Sequence, residues 1–105
     1  MQRADAIFRA LADPSRRAIY ERLSRGEVAV KDLTARFDIS QPAVSQHLGT
    51  LRKAGLVAER RDGRLVYYRV VPAGLRPLVD WLAHYQAFWP THLDKLQALL
   101  KEMDE

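Results

Sequence analysis

The stretch that decides the fold runs from Ile39 to Val57 and reads ISQPAVSQHLGTLRKAGLV. Ser40 is an N-cap residue whose hydroxyl can accept a free amide of the first helical turn. Gln41-Pro42 follows, where the missing proline N–H costs nothing. Val44, Leu48 and Leu51 then fall at i, i+4 and i+7, one inward stripe of a helix that Gly55 ends. With that stripe inward, Pro42, Ser45, Gln46, Gly49, Thr50 and Lys53 point away, and Gln41 sits at the exposed N-terminal edge. A solvated helix usually carries Glu and Lys on its outer face, yet no acidic residue lies between Ser40 and Ala58. Short and amide-bearing groups can donate and accept at base edges, and Gly49 permits close approach. The first turn also offers free backbone N–H groups to a phosphate.

Working outward toward the N-terminus, Leu33 and Phe37 lie four apart on a short helix over about 31–37, joined to the next by Asp38-Ile39. Two short helices with a tight link are the helix-turn-helix pattern, in which the second helix enters the major groove. Earlier still, Asp13-Pro14 reads as an N-cap followed by proline at the first helical position. That helix carries Ile19, Tyr20 and Leu23 and stops before Gly26. A first helix over about 3–12 shows Ile7, Phe8 and Leu11 as its apolar stripe.

Toward the C-terminus the period changes. Leu56 to Arg61 and Arg64 to Val71 are β-prone runs separated by Asp62-Gly63, a two-residue hairpin signal. Arg60, Arg61 and Arg64 flank the tip, and this register sets Arg61 opposite Arg64, an arrangement that an anion between them would relieve. The hairpin adds a basic wing of about 56–71 to a reading helix of about 40–54. After Pro72, Gly74 and Pro77, residues 75–103 are helical again, interrupted by Pro90. There Leu75, Val79, Leu82, Gln86, Trp89, Leu93, Leu96, Leu100 and Met103 follow alternating steps of four and three, widened by Tyr85, Phe88 and Leu99. The phase continues across Pro90, which favours one kinked helix or two nearly collinear ones. Burying such a stripe against a second copy is economical, and folding it back on its own core is the alternative.

Composition agrees. The chain of 105 residues is one domain's worth, 1–105, with 48% hydrophobic and 29% charged residues. Its net charge is +4 and its pI about 9.8. Lys and Arg outnumber Asp and Glu through Val71, and the balance reverses afterwards, as expected of a basic body meeting a polyanion. No apolar run approaches the roughly 20 residues of a membrane span, and no signal peptide is evident. The absence of cysteine removes disulfides, thiolate metal sites and cysteine nucleophiles, and fits a cytoplasmic address. There is no glycine-rich phosphate loop, and the histidines have no serine or paired carboxylate partners, so an enzyme is not expected, nor a cofactor. A protein-interaction module is the rival reading. It accounts for the apolar tail but not for the uncharged polar helix face beside basic residues.

The run FRALADPSRRAIYERL from Phe8 resembles the opening of ArsR-type winged-helix repressors. The stretch from Ile39 quoted above is similar to that family's recognition helix, and RDGRLVYYRV resembles its wing. The resemblance covers residues 8 to about 70 without gaps. It implies a mainly α winged helix-turn-helix with a β-hairpin wing, repression by operator occupancy, and a homodimer built from the first and last helices. The expected DNA-contact set is Ser40, Gln41, Ala43, Ser45, Gln46 and Thr50 with Arg60, Arg61 and Arg64. The expected dimer interface is Ile7, Phe8, Leu11, Leu82, Tyr85, Trp89, Leu93 and Leu96. His47 occupies the family's common histidine position, where it is expected to be partly packed. Family members that sense metals do so through a cysteine pair on the recognition helix, or through carboxylate and histidine ligands on the last helix. The first site cannot exist here. For the second, Asp80, His84, His92 and Asp94 remain, and a metal-sensing repressor built on them is a further alternative. However, Pro90 lies between the histidines and their spacing does not reproduce the family's pattern, so no metal site is assigned.

Overall fold

Asp13 closes one helix and opens the next. Its carboxylate accepts the amides of Ser15 at 2.8 Å and Arg16 at 3.1 Å, capping the second helix with Pro14 in its first turn. In return, Arg16 donates through Nε to the Ala10 carbonyl at 2.7 Å, and Arg17 donates to the Leu11 carbonyl at 2.7 Å. The DPSRR segment is thus a reciprocal clasp in which each helix terminus satisfies the other's free backbone groups. Part of the chain's basic excess is engaged here and not held free for a ligand.

The computed structural model of the chain describes the backbone of residues 2–85 and 89–104 and the side chains of residues 4–85 and 94–103. In order, the elements are α1 (Gln2–Ala12), α2 (Pro14–Leu23), β1 (Val28–Ala29), α3 (Val30–Phe37), α4 (Gln41–Lys53), β2 (Val57–Asp62) and β3 (Leu65–Val70). A 3₁₀ turn (Pro72–Leu75), α5 (Arg76–His84) and α6 (Trp89–Asp104) complete the chain. Ile7, Ile19, Leu23, Leu33, Val44, Leu48, Leu51 and Leu56 are fully buried together, one contribution or more from each of the first four helices. Asp38 takes a left-handed backbone (φ 51°) that ends α3 and turns the chain into α4, a conformation aspartate tolerates better than most residues. Ser40 caps α4 by accepting the Ala43 amide at 3.2 Å.

The fold is the expected mainly α winged helix-turn-helix, and four details differ from the sequence reading. In α1 the inward face is Ala4, Ile7 and Ala10, with Leu11 only partly covered and Phe8 turned out. Small alanines let α1 approach the core closely, a contact that a search for large apolar residues overlooks. Ile7, expected at the dimer interface, is therefore a core residue with no surface to offer. Second, the short strand β1 was not expected. It pairs antiparallel with β3 (Val28 with Tyr68, Ala29 with Tyr67), giving a three-stranded sheet in the order β1-β3-β2.

Third, the hairpin turn lies one residue later than Asp62-Gly63 implies. Asp62 pairs with Leu65, so Gly63-Arg64 is the loop and Arg61 faces Val66, not Arg64. Gly63 has φ 62° at the first central position, where a type II′ turn needs glycine. This register sets Glu59 against Tyr68 and Arg60 against Tyr67, replacing a face-off of like charges by two attractive pairs. Fourth, the apolar stripe of the tail does not keep to one face, and of the two arrangements the sequence leaves open the tail takes that of two helices. The fifth helix ends at His84, and Pro90 falls in the first turn of α6, where its ring does least harm. In the tail, Leu75 and Leu78 pack on the core while Val79 and Leu82 face outward, so the continuous four-three stripe is split between two faces.

At the base of the wing, Gly74 passes so close to the Gly55 carbonyl that a Cβ there would overlap it. The Val71 amide donates to the Leu56 carbonyl at 2.9 Å, closing the hairpin stem beside the end of α4.

Candidate nucleic-acid interface

The inward side of α4 is fixed by the fully buried Val44, Leu48 and Leu51, which commits its other side to solvent. Ser40, Gln41, Pro42, Ser45 and Gln46 are exposed, while Ala43 and Thr50 are half-buried. The Thr50 hydroxyl donates to the Gln46 carbonyl at 3.2 Å, which leaves its lone pairs as the groups it can still offer. Nothing lies within 4 Å of where a Gly49 Cβ would stand, so this point of the helix is open to close approach. His47 is half-buried, and its Nδ1 is enclosed without a hydrogen-bond partner.

A groove separates the N-terminal half of α4 from the wing. Lys31 from the start of α3, Gln41 and Ser45 from α4, and Arg61 and Arg64 from the hairpin all line it. Three cations and one carboxylate, Glu59, therefore share this groove with the polar residues of the helix, a net positive lining of the kind a backbone phosphate would meet. Arg61 is 74% exposed at its side chain and lies 3.9 Å from Glu59, a loose pairing. Arg64 sits in the exposed turn.

Two acidic residues that the sequence did not single out organise the wing. Glu59 accepts the Tyr68 hydroxyl at 2.9 Å and lies 3.5 Å from Arg52 at the end of α4, tying strand to helix. Burial, reinforced by this carboxylate, pushes the Tyr68 hydroxyl above the ordinary tyrosine value. Glu27, in the segment before β1, holds Arg60 in a two-pronged pair, with Nη2 at 2.6 Å and Nε at 3.2 Å. The hydrogen bond from Arg60 lowers the Glu27 carboxyl below its ordinary value. The Arg60 guanidinium, expected among the DNA contacts, is thereby directed at the body of the domain. No local signal marks Glu27, which lies 33 residues from its partner.

The remaining candidates fall on the tail. Asp80 pairs with Arg76 at 3.1 Å, and His84 lies edge-on to Tyr85 with ring centroids 5.0 Å apart. Among the described residues no three metal-ligating groups come together. The side chains of His92, Trp89 and Leu93 lie outside the described residues, and Asp94 is exposed. Leu82, Tyr85 and Leu96 are exposed as an interface would need, with Val79, Leu99, Leu100 and Met103. Trp81 was missed by the sequence reading because it lies off the four-three stripe. It packs against Phe8 of α1 and against Tyr85. No helix among the described residues is long and apolar enough to cross a membrane.

A helix-turn-helix whose outer face is polar and uncharged as far as Thr50, with a basic hairpin at its side, defines the winged helix-turn-helix class of DNA-binding transcriptional regulators. A helix-turn-helix domain family matches residues 11–60. The transcriptional repressor SdpR of Bacillus subtilis is 32% identical over 79 residues, 75% of this chain and 88% of that protein. The arsenical resistance operon repressor of Escherichia coli is 36% identical over 101 residues, 92% of this chain and 81% of that one. The crystal structure of an ArsR family transcriptional regulator superposes with a TM-score of 0.76 at 34% identity, covering 85% of this chain and 92% of the other. The chain belongs to the ArsR family.

Proposed function

We propose that the chain represses transcription in the cytoplasm as a homodimer that occupies a palindromic operator. The observation that carries this reading is the outer face of α4, where Gln41, Ser45 and Gln46 stand exposed beside a groove that Lys31, Arg61 and Arg64 line. Amide and hydroxyl groups read base edges, with Ser40, Ala43 and Thr50 completing the face, while the wing arginines hold the phosphate backbone. The repressors SdpR and that of the arsenical resistance operon support the direction of control by similarity. The open apolar faces of α5 and α6, with Phe8 and the rim of Leu11, support a second copy as partner.

Selection of bound duplexes from a random library tests the reading. The expected product is an inverted repeat whose half-sites lie about 34 Å apart, one turn of the double helix. A single unsymmetrical site would count against the dimer. Recovery of no preferred duplex would favour a protein-interaction module instead.

A further inference from the structure

Beyond Tyr67 the wing is a bare two-stranded ribbon. The strand β1 supports β3 at Tyr67 and Tyr68, whereas the outer rungs, Arg61 with Val66 and Asp62 with Leu65, have no third strand. A two-stranded ribbon in water is marginal by itself and free to twist. Arg60 stands opposite Tyr67, on the rung where the ribbon leaves the body.

Three neighbours engage its guanidinium there. One edge makes the two-pronged pair with Glu27, at 2.6 and 3.2 Å. Its face covers the Tyr67 ring at 4.6 Å, and Nη1 lies 3.8 Å from Asp62. Fork-to-fork pairing of guanidinium with carboxylate fixes direction as well as distance, which a lysine could not do. Glu27 belongs to the body and Arg60 to the ribbon, so the pair spans the point at which the wing would bend.

We propose that Arg60 is a positioning residue. Together with Glu27 it sets the angle of the wing so that Arg61 and Arg64 reach the phosphate backbone, and it makes no phosphate contact itself. The proposal rests on the DNA-binding reading above and assigns this arginine a different task from its neighbours. Because the pair is half-exposed, its influence is small in energy, and its loss changes affinity by about two- to fivefold.

Glu27→Gln decides between the two roles by the sign of its effect. If Arg60 bound phosphate, removing the carboxylate would free the arginine and tighten binding. If Arg60 positions the wing, Glu27→Gln weakens binding about two- to fivefold, although the chain becomes more positive. Arg60→Gln then gives a loss of the same size, and the double variant loses no more than either alone. The charge-exchanged pair, Glu27→Arg with Arg60→Glu, restores part of the affinity, which a phosphate contact could not do. Binding is measured on the duplex selected by the unaltered chain, across a salt series, with hydrogen exchange of the amides of residues 61–66 in free protein. Faster exchange there in Glu27→Gln supports the clamp, and unchanged exchange overturns it. Equal or tighter DNA binding by Glu27→Gln overturns the positioning role. An unaltered chain that selects no duplex overturns the reading beneath it, while the exchange experiment still decides whether the clamp exists.

Discussion

Phe8 and Trp81 meet edge to face, their ring centroids 5.4 Å apart and their planes at 83°, joining α1 to α5. Trp81 in turn lies 5.1 Å from Tyr85, so an aromatic ridge runs along α5. Aromatic pairs of this kind add about 0.5–1.5 kcal/mol beyond area burial. Phe8 nevertheless remains 43% exposed and Leu82 49%, which leaves the outer side of the ridge open. Placing a charge on that side is the direct test of dimerisation. Leu82→Glu should sediment as a monomer at micromolar concentration and lose ~100-fold or more in operator affinity, since linked half-sites no longer act together. A dimeric Leu82→Glu protein would move the interface elsewhere.

Gln46 is exposed on α4, and Gly49, beyond it on the same outward side, adds no side chain that would hold DNA away. A bidentate amide contact to a base is worth about 1–3 kcal/mol of discrimination. Gln46→Ala should therefore relax preference at one position per half-site and leave the salt dependence unchanged. Arg61→Ala and Arg64→Ala should weaken binding to every sequence and lower the salt slope by about one each. Competition titrations against single-base variants of the operator separate the two classes, and an unchanged preference in Gln46→Ala would remove it from the reading face.

Gly74→Ala tests the base of the wing. A Cβ there would overlap the Gly55 carbonyl, and the obstacle is backbone that cannot rotate aside. Overpacking of this kind costs about 1–3 kcal/mol, readable as a lowered urea midpoint. Gly49→Ala, where a Cβ meets open space, should be neutral or stabilising and serves as the control. Equal midpoints for the two variants would contradict the close contact.

Acid should loosen the domain through its carboxylates. The backbone amide of Arg16 holds Asp13 below its ordinary value, and the Arg60 hydrogen bond does the same for Glu27. A carboxyl whose value is depressed in the folded state contributes its full stability above the ordinary carboxylate range, and loses it as pH falls through the depressed value. Asp13→Asn keeps the cap oxygen and removes the titration, so its stability should fall less steeply with acid than that of the unaltered chain. Urea midpoints over the acid limb provide the comparison; parallel curves would refute the assignment to Asp13.

With no cysteine, the chain has no thiolate to bind arsenite or to be oxidised. Operator affinity should be the same with and without arsenite, cadmium or peroxide, measured by fluorescence anisotropy. A fall in affinity with cadmium that disappears in His84→Ala would establish a nitrogen site on the tail.

Helix positions were legible because their signals are local. Ser40, Pro42 and Gly55 bracket α4, and the spacing of Val44, Leu48 and Leu51 orients it, so the outer face could be read from the same few residues. Pairings across long separations were not legible. Strand β1 spans two residues and has no period to detect; it exists because Val28 meets Tyr68. The hairpin signal at Asp62-Gly63 was correct to within one residue, but the register depends on cross-strand pairs that the dipeptide does not encode. The three wing arginines look alike in sequence, and only the position of Glu27 separates Arg60 from the other two. In the tail, periodicity identified apolar positions without revealing which of them the domain itself covers, as Leu75 and Val79 show.

The meeting of Gly55 with Gly74 has a mechanical consequence. Side chains in contact absorb small displacements by changing rotamer, but two stretches of backbone in contact have no such compliance. A side chain at position 74 would hold the start of the tail off the end of the reading helix, so the bare glycine is what lets the two segments close on each other.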